Sequence, residues 1–509
     1  MLFNSYPFLF VFLPIALAGY FGLARLGQRF AASWLALASL GFYAWWDTRF
    51  LPVLCLSIIW NFGAGCLLNH LAEARQGGLK RFILLIAIAG DLAALGYFKY
   101  VNFFIGIAGD LSGIQLAAVN VVLPLGISFF TFTQIAFLVD TAQGKAREFN
   151  FINYVLFVTY FPHLIAGPIL HHKQMMPQFA DSATYVPRST NFAIGAAYFT
   201  IGLLKKCLLA DSFAPDAAAA FATAGAATLG AAAAWKGAIA YTLQLYFDFS
   251  GYIDMAIGLS LCFGVRLPLN FNSPYRAANI IDFWRRWHMT LSQFLRDYLY
   301  IPLGGNRRGT ARRYANLMIT MLLGGLWHGA SWTFVIWGGL HGLYLIINHA
   351  WQHVKPTSAL QHIPPAIRIT VATLITFLAV VVAWVFFRAP DATTALLILQ
   401  AMTGFHGLGT LPTRTFSDID LFLMMTKLPS AITFWNDIVL YIGGLAIVFF
   451  LPNSQAIVEP ERYGKDAAGL PLLSLRWQPG WAWGAAMGLA VAFSLTLFMS
   501  TSEFLYFQF

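Results

Sequence analysis

Hydrophobic positions in this chain neither alternate nor keep to one helical face; they continue for the length of a bilayer crossing. Apolar windows occupy residues 8–24, 33–46, 82–97, 191–209, 369–387, 438–451 and 480–499. About 20 apolar residues in a helix cross a hydrocarbon layer of about 30 Å, and the helix bonds its own backbone polar groups on the way. The pattern predicts an all-α polytopic membrane protein with roughly 11–13 membrane-embedded helices. Several windows are shorter than a crossing, so some helices are expected to be short, re-entrant or broken. One integral membrane domain, residues 1–509, accounts for everything. No repeat of the kind that builds inverted-repeat transporters is visible.

Polar positions interrupt the pattern in a few places. Residues 121–140 carry Pro124, Gly126, Ser128, Thr131, Thr133 and Gln134, which reads as a helix packed against neighbours. Tyr160-Phe161-Pro162-His163 and Ala166-Gly167-Pro168 break an apolar run twice. Irregular backbone at membrane depth survives only inside protein or beside a cavity, so an internal chamber is expected there. Residues 215–234 are alanine-rich and read as a loop or interfacial connector. Asp248 and Asp254 follow in a polar-spotted span and need arginines or backbone donors as partners. Gly251 between them permits a kink or close packing.

Residues 270–305 are amphipathic rather than uniformly apolar. On a helix, Arg286, Thr290, Gln293 and Asp297 form a polar stripe, while Trp284, His288, Leu291 and Leu295 form an apolar stripe that carries a histidine. A helix lying near the cytoplasmic face or dipping into the protein is expected. Residues 404–436 read as an external loop, 453–479 as cytoplasmic, and the closing Phe504–Phe509 as interfacial.

Composition agrees with the pattern: 59% of residues are hydrophobic and 10% charged, against about 25% charged in soluble domains. The formal net charge of +10 reads as positive-inside loops beside anionic lipid rather than as a nucleic-acid surface. Arg25 and Arg29, then Arg75, Lys80 and Arg81, then Lys145 and Arg147, and the cluster Arg307, Arg308, Arg312 and Arg313 mark the cytoplasmic loops. The N-terminus is then extracytoplasmic. No basic stretch precedes the first apolar run, so that run is expected to stay as a helix. The four cysteines, Cys55, Cys66, Cys207 and Cys262, have neither zinc-site nor disulfide spacing and read as small buried hydrophobes.

His328 is the most unusual residue in the chain. It stands in the run Met318–Trp337, where an unpaired polar group costs several kcal/mol. An ionisable side chain in such a setting is a functional-site candidate. Gly324, Gly325 and Gly329 around it leave room for a ligand or another backbone. Neutral imidazole can take a proton from a hydroxyl and return it to a leaving group, the step that acyl transfer from a thioester requires. His288 is a second candidate, as catalytic assistant or as a cavity-lining group.

Arg285, Arg286, Arg296 and the 307–313 cluster could attract an anionic acyl donor such as a coenzyme or a phosphopantetheine carrier. Trp327, Asn306 and Asp297 complete the candidate donor-side set. His163, His171 and His172 flank the chain break near Gly167. His70, His341, His349, His353, His362 and His406 read as structural. No Gly-x-Ser-x-Gly elbow is visible, and no metal-ligand spacing calls for zinc.

These motifs carry a family resemblance. Tyr246-Phe-Asp-Phe-Ser-Gly-Tyr-Ile-Asp254, Asn270-Phe-Asn-Ser-Pro-Tyr275, Phe283-Trp-Arg-Arg-Trp-His-Met-Thr-Leu-Ser292, Arg296-Asp-Tyr-Leu-Tyr-Ile-Pro-Leu-Gly-Gly-Asn-Arg307 and Gly324-Gly-Leu-Trp-His-Gly-Ala330 resemble the membrane-bound O-acyltransferases, and within them the bacterial alginate O-acetyltransferase branch. The opening Met1–Phe8 and the closing 504–509 also fit, and the most specific stretch is 246–342. The resemblance implies a helical fold around a tunnel joining the two membrane faces. It puts the family's essential histidine on His328 and the second histidine of the D-alanyl-transferring relatives on His288. It implies acetyl-CoA or another acyl thioester as co-substrate, with no tightly bound cofactor. It also implies a bacterial inner-membrane location, a periplasmic acetyltransferase partner and a polysaccharide acceptor such as alginate, peptidoglycan or cellulose. Two rival expectations stand beside it: D-alanyl transfer of the teichoic-acid type, and small-solute transport with the histidines as proton relays.

Overall fold

The computed structural model describes residues 1–74, 76–146, 148–222, 228–353, 363–409, 430–463, 475–498 and 504–505. The described residues form helices joined by turns and by irregular segments such as 113–126, with no strand among them. Among the described residues, four helices are long and apolar enough to cross a membrane: Thr48–Glu73, Gly77–Ser112, Ser189–Ala220 and Pro365–Arg388. Shorter apolar helices accompany them at Phe8–Ala24, Ile127–Ala142, Ala392–Met402, Ile438–Phe450 and Trp481–Thr496. The chain is an all-α polytopic membrane protein, and the short helices fit windows too brief for a full crossing.

The centre is the Ala231–Cys262 helix, buried without interruption from Ala240 to Leu261. It packs against Ser189–Leu204 through paired glycines. A methyl group on Gly202 would lie 2.5 Å from the Gly251 carbonyl oxygen, and one on Gly195 would lie 2.6 Å from that of Gly258. Small residues seven apart on both helices let the backbones touch, which is how helices associate where lipid removes the hydrophobic drive. Gly251 therefore serves close packing.

The same helix carries Asp248 and Asp254, and both meet lysines rather than the expected arginines. Lys206, fully buried, lies 2.8 Å from Asp248 and 2.9 Å from Asp211, while Lys205 lies 2.6 Å from Asp254. Asp248 also accepts the Leu505 N–H at 3.0 Å, a backbone donor. The two lysines open a π-helical turn, Lys205–Ala210, which rotates them toward the carboxylates.

Three further expectations change. Pro215 lies inside the Asp211–Ala220 helix and Ala231–Ala234 open the central helix, so the alanine-rich stretch is largely helical. Phe504 and Leu505 are buried, Phe504 against Tyr252, and residues 506–509 of the expected interfacial end lie outside the described residues. Cys66 is exposed, unlike the buried Cys207. Residues 410–429 of the expected external loop lie outside the described residues.

Successive helices reverse direction, and this gathers the basic loops. Leu13–Ala24 and Gln28–Ala44 turn at Arg25, Leu51–Glu73 and Gly77–Leu95 turn next to Lys80 and Arg81, and Ile127–Ala142 ends at Lys145. Gly77, Lys80 and Arg81 face Val139 and Gln143 across a surface pocket, which confirms that these ends coincide. Tyr298 donates to Asp140 at 2.8 Å and brings the Arg296–Tyr300 turn to the same end. One end of the molecule is thus strongly basic.

Candidate active site

His328 is the last residue of the Thr310–His328 helix, and the chain returns beside it as Trp332–His353. The hairpin is closed by glycines. A methyl group on Gly325 would collide with the Phe334 carbonyl, one on Gly338 with that of Met321, and one on Gly329 with the Phe334 ring. The room predicted around His328 is occupied by the neighbouring helix.

The His328 imidazole is 5% exposed and sits among rings. Its centroid is 4.8 Å from Trp327, 5.1 Å from Trp337 and 5.1 Å from Phe387. His288 also contacts Trp327, with centroids 6.2 Å apart. Trp327 therefore touches both histidines, which share one aromatic cluster.

The continuous amphipathic helix expected around His288 does not form. Two short helices, Ile280–Trp284 and Met289–Leu295, flank a break, and His288 stands in it at φ 43°, ψ 55°. That left-handed conformation costs of order 1–3 kcal/mol for a residue other than glycine, so its surroundings must hold it. They do so through Asn270. Its Oδ1 accepts from Thr290 N at 3.1 Å and Thr290 Oγ1 at 2.9 Å, and its backbone oxygen accepts from Met289 N at 3.0 Å. His288 Nδ1 lies 3.2 Å from the same Oδ1. Facing an acceptor, Nδ1 carries the proton, so Nε2 carries the lone pair. Thr290 Oγ1 in turn accepts from Ile169 N at 3.0 Å. The broken stretch 160–170 is buried throughout, and in place of a chamber wall it forms a packed brace behind His288.

A cavity of about 770 Å³ opens at the basic end, with Arg285, Arg296, Tyr300 and His349 in its outer lining. Trp284, Thr290 and Met321 line it nearer the histidines. Met321 precedes His328 by seven residues, or about 10 Å along a helix. Trp284 bridges the remaining gap: its ring centroid is 5.9 Å from Trp337 and 5.2 Å from His341.

The candidate donor-side residues fall in different places in the structure. Arg285 is exposed and lines the cavity. Arg286 is bound at 2.9 Å to Asp282 and faces the Asn272 carbonyl. Asp297 is held at 2.7 Å by Arg296. Asn306 is exposed and stands outside the cavity lining, and Trp327 is buried in ring contact with both histidines.

The structure adds residues to which the sequence assigned no role. His341, expected to be structural, is fully buried beside Trp337, with centroids 4.8 Å apart. Both its ring nitrogens, and the indole N–H groups of Trp284, Trp327 and Trp337, lack a hydrogen-bond partner among the described residues. Polar groups buried this way cost about 1–3 kcal/mol each, so this many around one histidine marks a place built to meet a polar ligand or solvent. Lys99 also reaches the site, from the long Gly77–Ser112 helix. The signal for Lys99 was available: a lysine inside an apolar helix.

Residues 82–387 match the family model of the membrane-bound O-acyltransferases. The peptidoglycan O-acetyltransferase of Helicobacter pylori is 43% identical, over 80% of this chain and 80% of its own length. The probable alginate O-acetylase of Azotobacter vinelandii is 39% identical, over 92% of this chain and 90% of its own. The teichoic acid D-alanyltransferase of Streptococcus thermophilus is 30% identical, over 46% of this chain and 58% of its own. A match over more than half the chain, enclosing His288, Trp327 and His328, is decisive: this chain belongs to the membrane-bound O-acyltransferase family.

Proposed function

We propose that this protein is a bacterial inner-membrane O-acetyltransferase that draws acetyl groups from a cytoplasmic thioester and delivers them for O-acetylation of an extracytoplasmic polysaccharide of the alginate, peptidoglycan or cellulose class. The observation that carries this reading is the cavity that runs from the basic end toward the aromatic cluster around His328. Positive-inside topology makes the basic end cytoplasmic and the N-terminus extracytoplasmic. Acetyl-CoA or another acyl thioester enters there, and Arg285 and Arg296 meet its anionic groups. The acceptor hydroxyl approaches from the opposite face, carried by the polymer or by a periplasmic partner protein, and lipid surrounds the apolar helices.

In the reaction, an imidazole nitrogen of His328 takes the hydroxyl proton while the oxygen attacks the thioester carbonyl. The C–O bond forms, the C–S bond breaks, and the departing sulfur receives the proton from His328. Atoms and charge balance with no further reactant. The unpartnered indole N–H groups nearby are donors available to the developing oxyanion. His288, in contact with Trp327, positions the acceptor or the thioester through Nε2.

Replacing His328 with alanine is expected to abolish polymer acetyl esters at unchanged protein level, measured by ester release from the cell envelope. Full acetylation in that variant would sink the assignment. Labelling with acetyl and D-alanyl thioesters separates this reading from D-alanyl transfer, and acetyl label alone is expected to pass.

A further inference from the structure

Lys99 lies in a π-helical turn, Gly96–Tyr100, within the Gly77–Ser112 helix. Its Nζ donates to Trp327 O at 2.6 Å, to His328 O at 3.1 Å and to Ser128 Oγ at 3.2 Å. Three acceptors match the three protons of an ammonium group. The next residue, Tyr100, donates its hydroxyl to Leu326 O at 2.8 Å.

These carbonyls belong to the last turn of the helix that ends at His328. The last four carbonyls of a helix have no partner within it, and they form the negative end of its dipole. A lysine and a tyrosine from a distant part of the sequence satisfy three of them in succession. The π turn places both side chains on that one target, and π turns inside α-helices frequently mark functional sites.

An alternative is that Lys99 merely neutralises a buried helix end. One hydroxyl or one amide would serve that purpose with less desolvation. Instead the contacts converge on the residue that precedes the imidazole and on the imidazole's own carbonyl. Those two groups set the direction of the His328 Cα–Cβ bond.

We propose that Lys99, assisted by Tyr100, is a positioning residue that locks the end of the Thr310–His328 helix and so aims the His328 imidazole at the reacting groups. The proposal rests on His328 being the general base. A misplacement of about 1 Å at a reacting group lowers the rate by about 100-fold.

The test uses the full chain with Lys99→Met, Lys99→Arg, Tyr100→Phe and His328→Ala, each scored as envelope acetyl ester per unit of protein. Lys99→Met is expected to lose about 10- to 100-fold while it still accumulates and unfolds cooperatively in detergent. Lys99→Arg, which keeps a cation at the helix end, is expected to recover most of that loss. A folded Lys99→Met that keeps more than half the ester overturns the proposal. If Lys99→Met does not accumulate, Tyr100→Phe decides, with a loss of about three- to tenfold expected and no loss overturning it.

A readout independent of activity accompanies these. The sequence has two Trp-His peptide bonds, at 287–288 and 327–328. With carbonyl-13C tryptophan and 15N histidine, solid-state NMR in lipid reads those two bonds alone. Lys99→Met should move the 327–328 signal and leave the 287–288 signal in place; no movement overturns the proposal. If His328→Ala keeps its esters, the reading of His328 as base fails. If only Lys99→Met behaves as the parent, the positioning role alone fails.

Discussion

A single amide oxygen, Asn270 Oδ1, holds both the backbone and the tautomer of His288. It meets Thr290 N, Thr290 Oγ1 and His288 Nδ1 within 3.2 Å. Replacing Asn270 with alanine removes all three side-chain contacts and leaves the left-handed His288 held only by the backbone bond from Met289 N. The expected result is a loss of about 2–4 kcal/mol of stability, from lost buried bonds and donors left unpaired, with acetyl transfer falling by at least about tenfold. Asn270→Asp keeps the oxygen geometry and is expected to retain more activity than alanine; thermal unfolding and envelope ester content check both. His328 was legible from sequence because a lone imidazole in an apolar run has few explanations. Asn270 was not, because its role depends on Thr290 and His288 folding back onto it from twenty residues away. Lys99 fell just past the end of an apolar window at residue 97, and its target lies more than two hundred residues on.

At the scale of elements, helical periodicity identified most segments but misread the one that matters most. Residues 280–295 carry two good helical stripes, yet the chain breaks at His288 because Asn270 and Thr290 supply bonds that a continuous helix would forgo. Hydrophobic pattern has no term for such a tertiary override. Glycine spacing was more informative than its first reading. The glycines near His328 hold two helices together, and this makes a sharp comparison possible. Gly325→Val places a side chain against the Phe334 carbonyl, where neither backbone can yield. Gly339→Ala, about two turns into the partner helix of the same hairpin, meets Leu322 Cδ2 at an ordinary 3.5 Å. The valine variant is expected to lose about 1–3 kcal/mol or more and most of its activity, while the alanine variant stays within experimental error of the parent. Equal behaviour of the two in a thermal-unfolding series would refute the packing role.

At the scale of the molecule, direction is the property that gives the fold its use. Composition and apolar windows made the all-α membrane architecture legible, and basic loops propose an orientation. Neither gives depth, because depth comes from how far each helix runs between its contacts. Lys99 joins Ser128 and His328 at one level, and Tyr298 joins Asp140 at another. Twelve helical residues separate Ser128 from Asp140, about 18 Å at 1.5 Å per residue. His328 therefore stands well inside, away from the basic end, while the cavity mouth stays with the arginines. If that end faces the cytoplasm, a thioester entering there is read from inside the cell and its acetyl group emerges toward the outside. Single cysteines in a background lacking Cys55, Cys66, Cys207 and Cys262 test this directly. Leu111, 84% exposed in the helix that carries Lys99 away from Lys80, reports the far end, and the exposed Arg308 reports the basic end. In spheroplasts, a membrane-impermeant maleimide is expected to label Leu111→Cys at once and Arg308→Cys only after permeabilisation. The opposite order would put the cavity mouth outside the cell, where no cytoplasmic thioester could reach it, and the direction of acetyl transfer would have to be reversed.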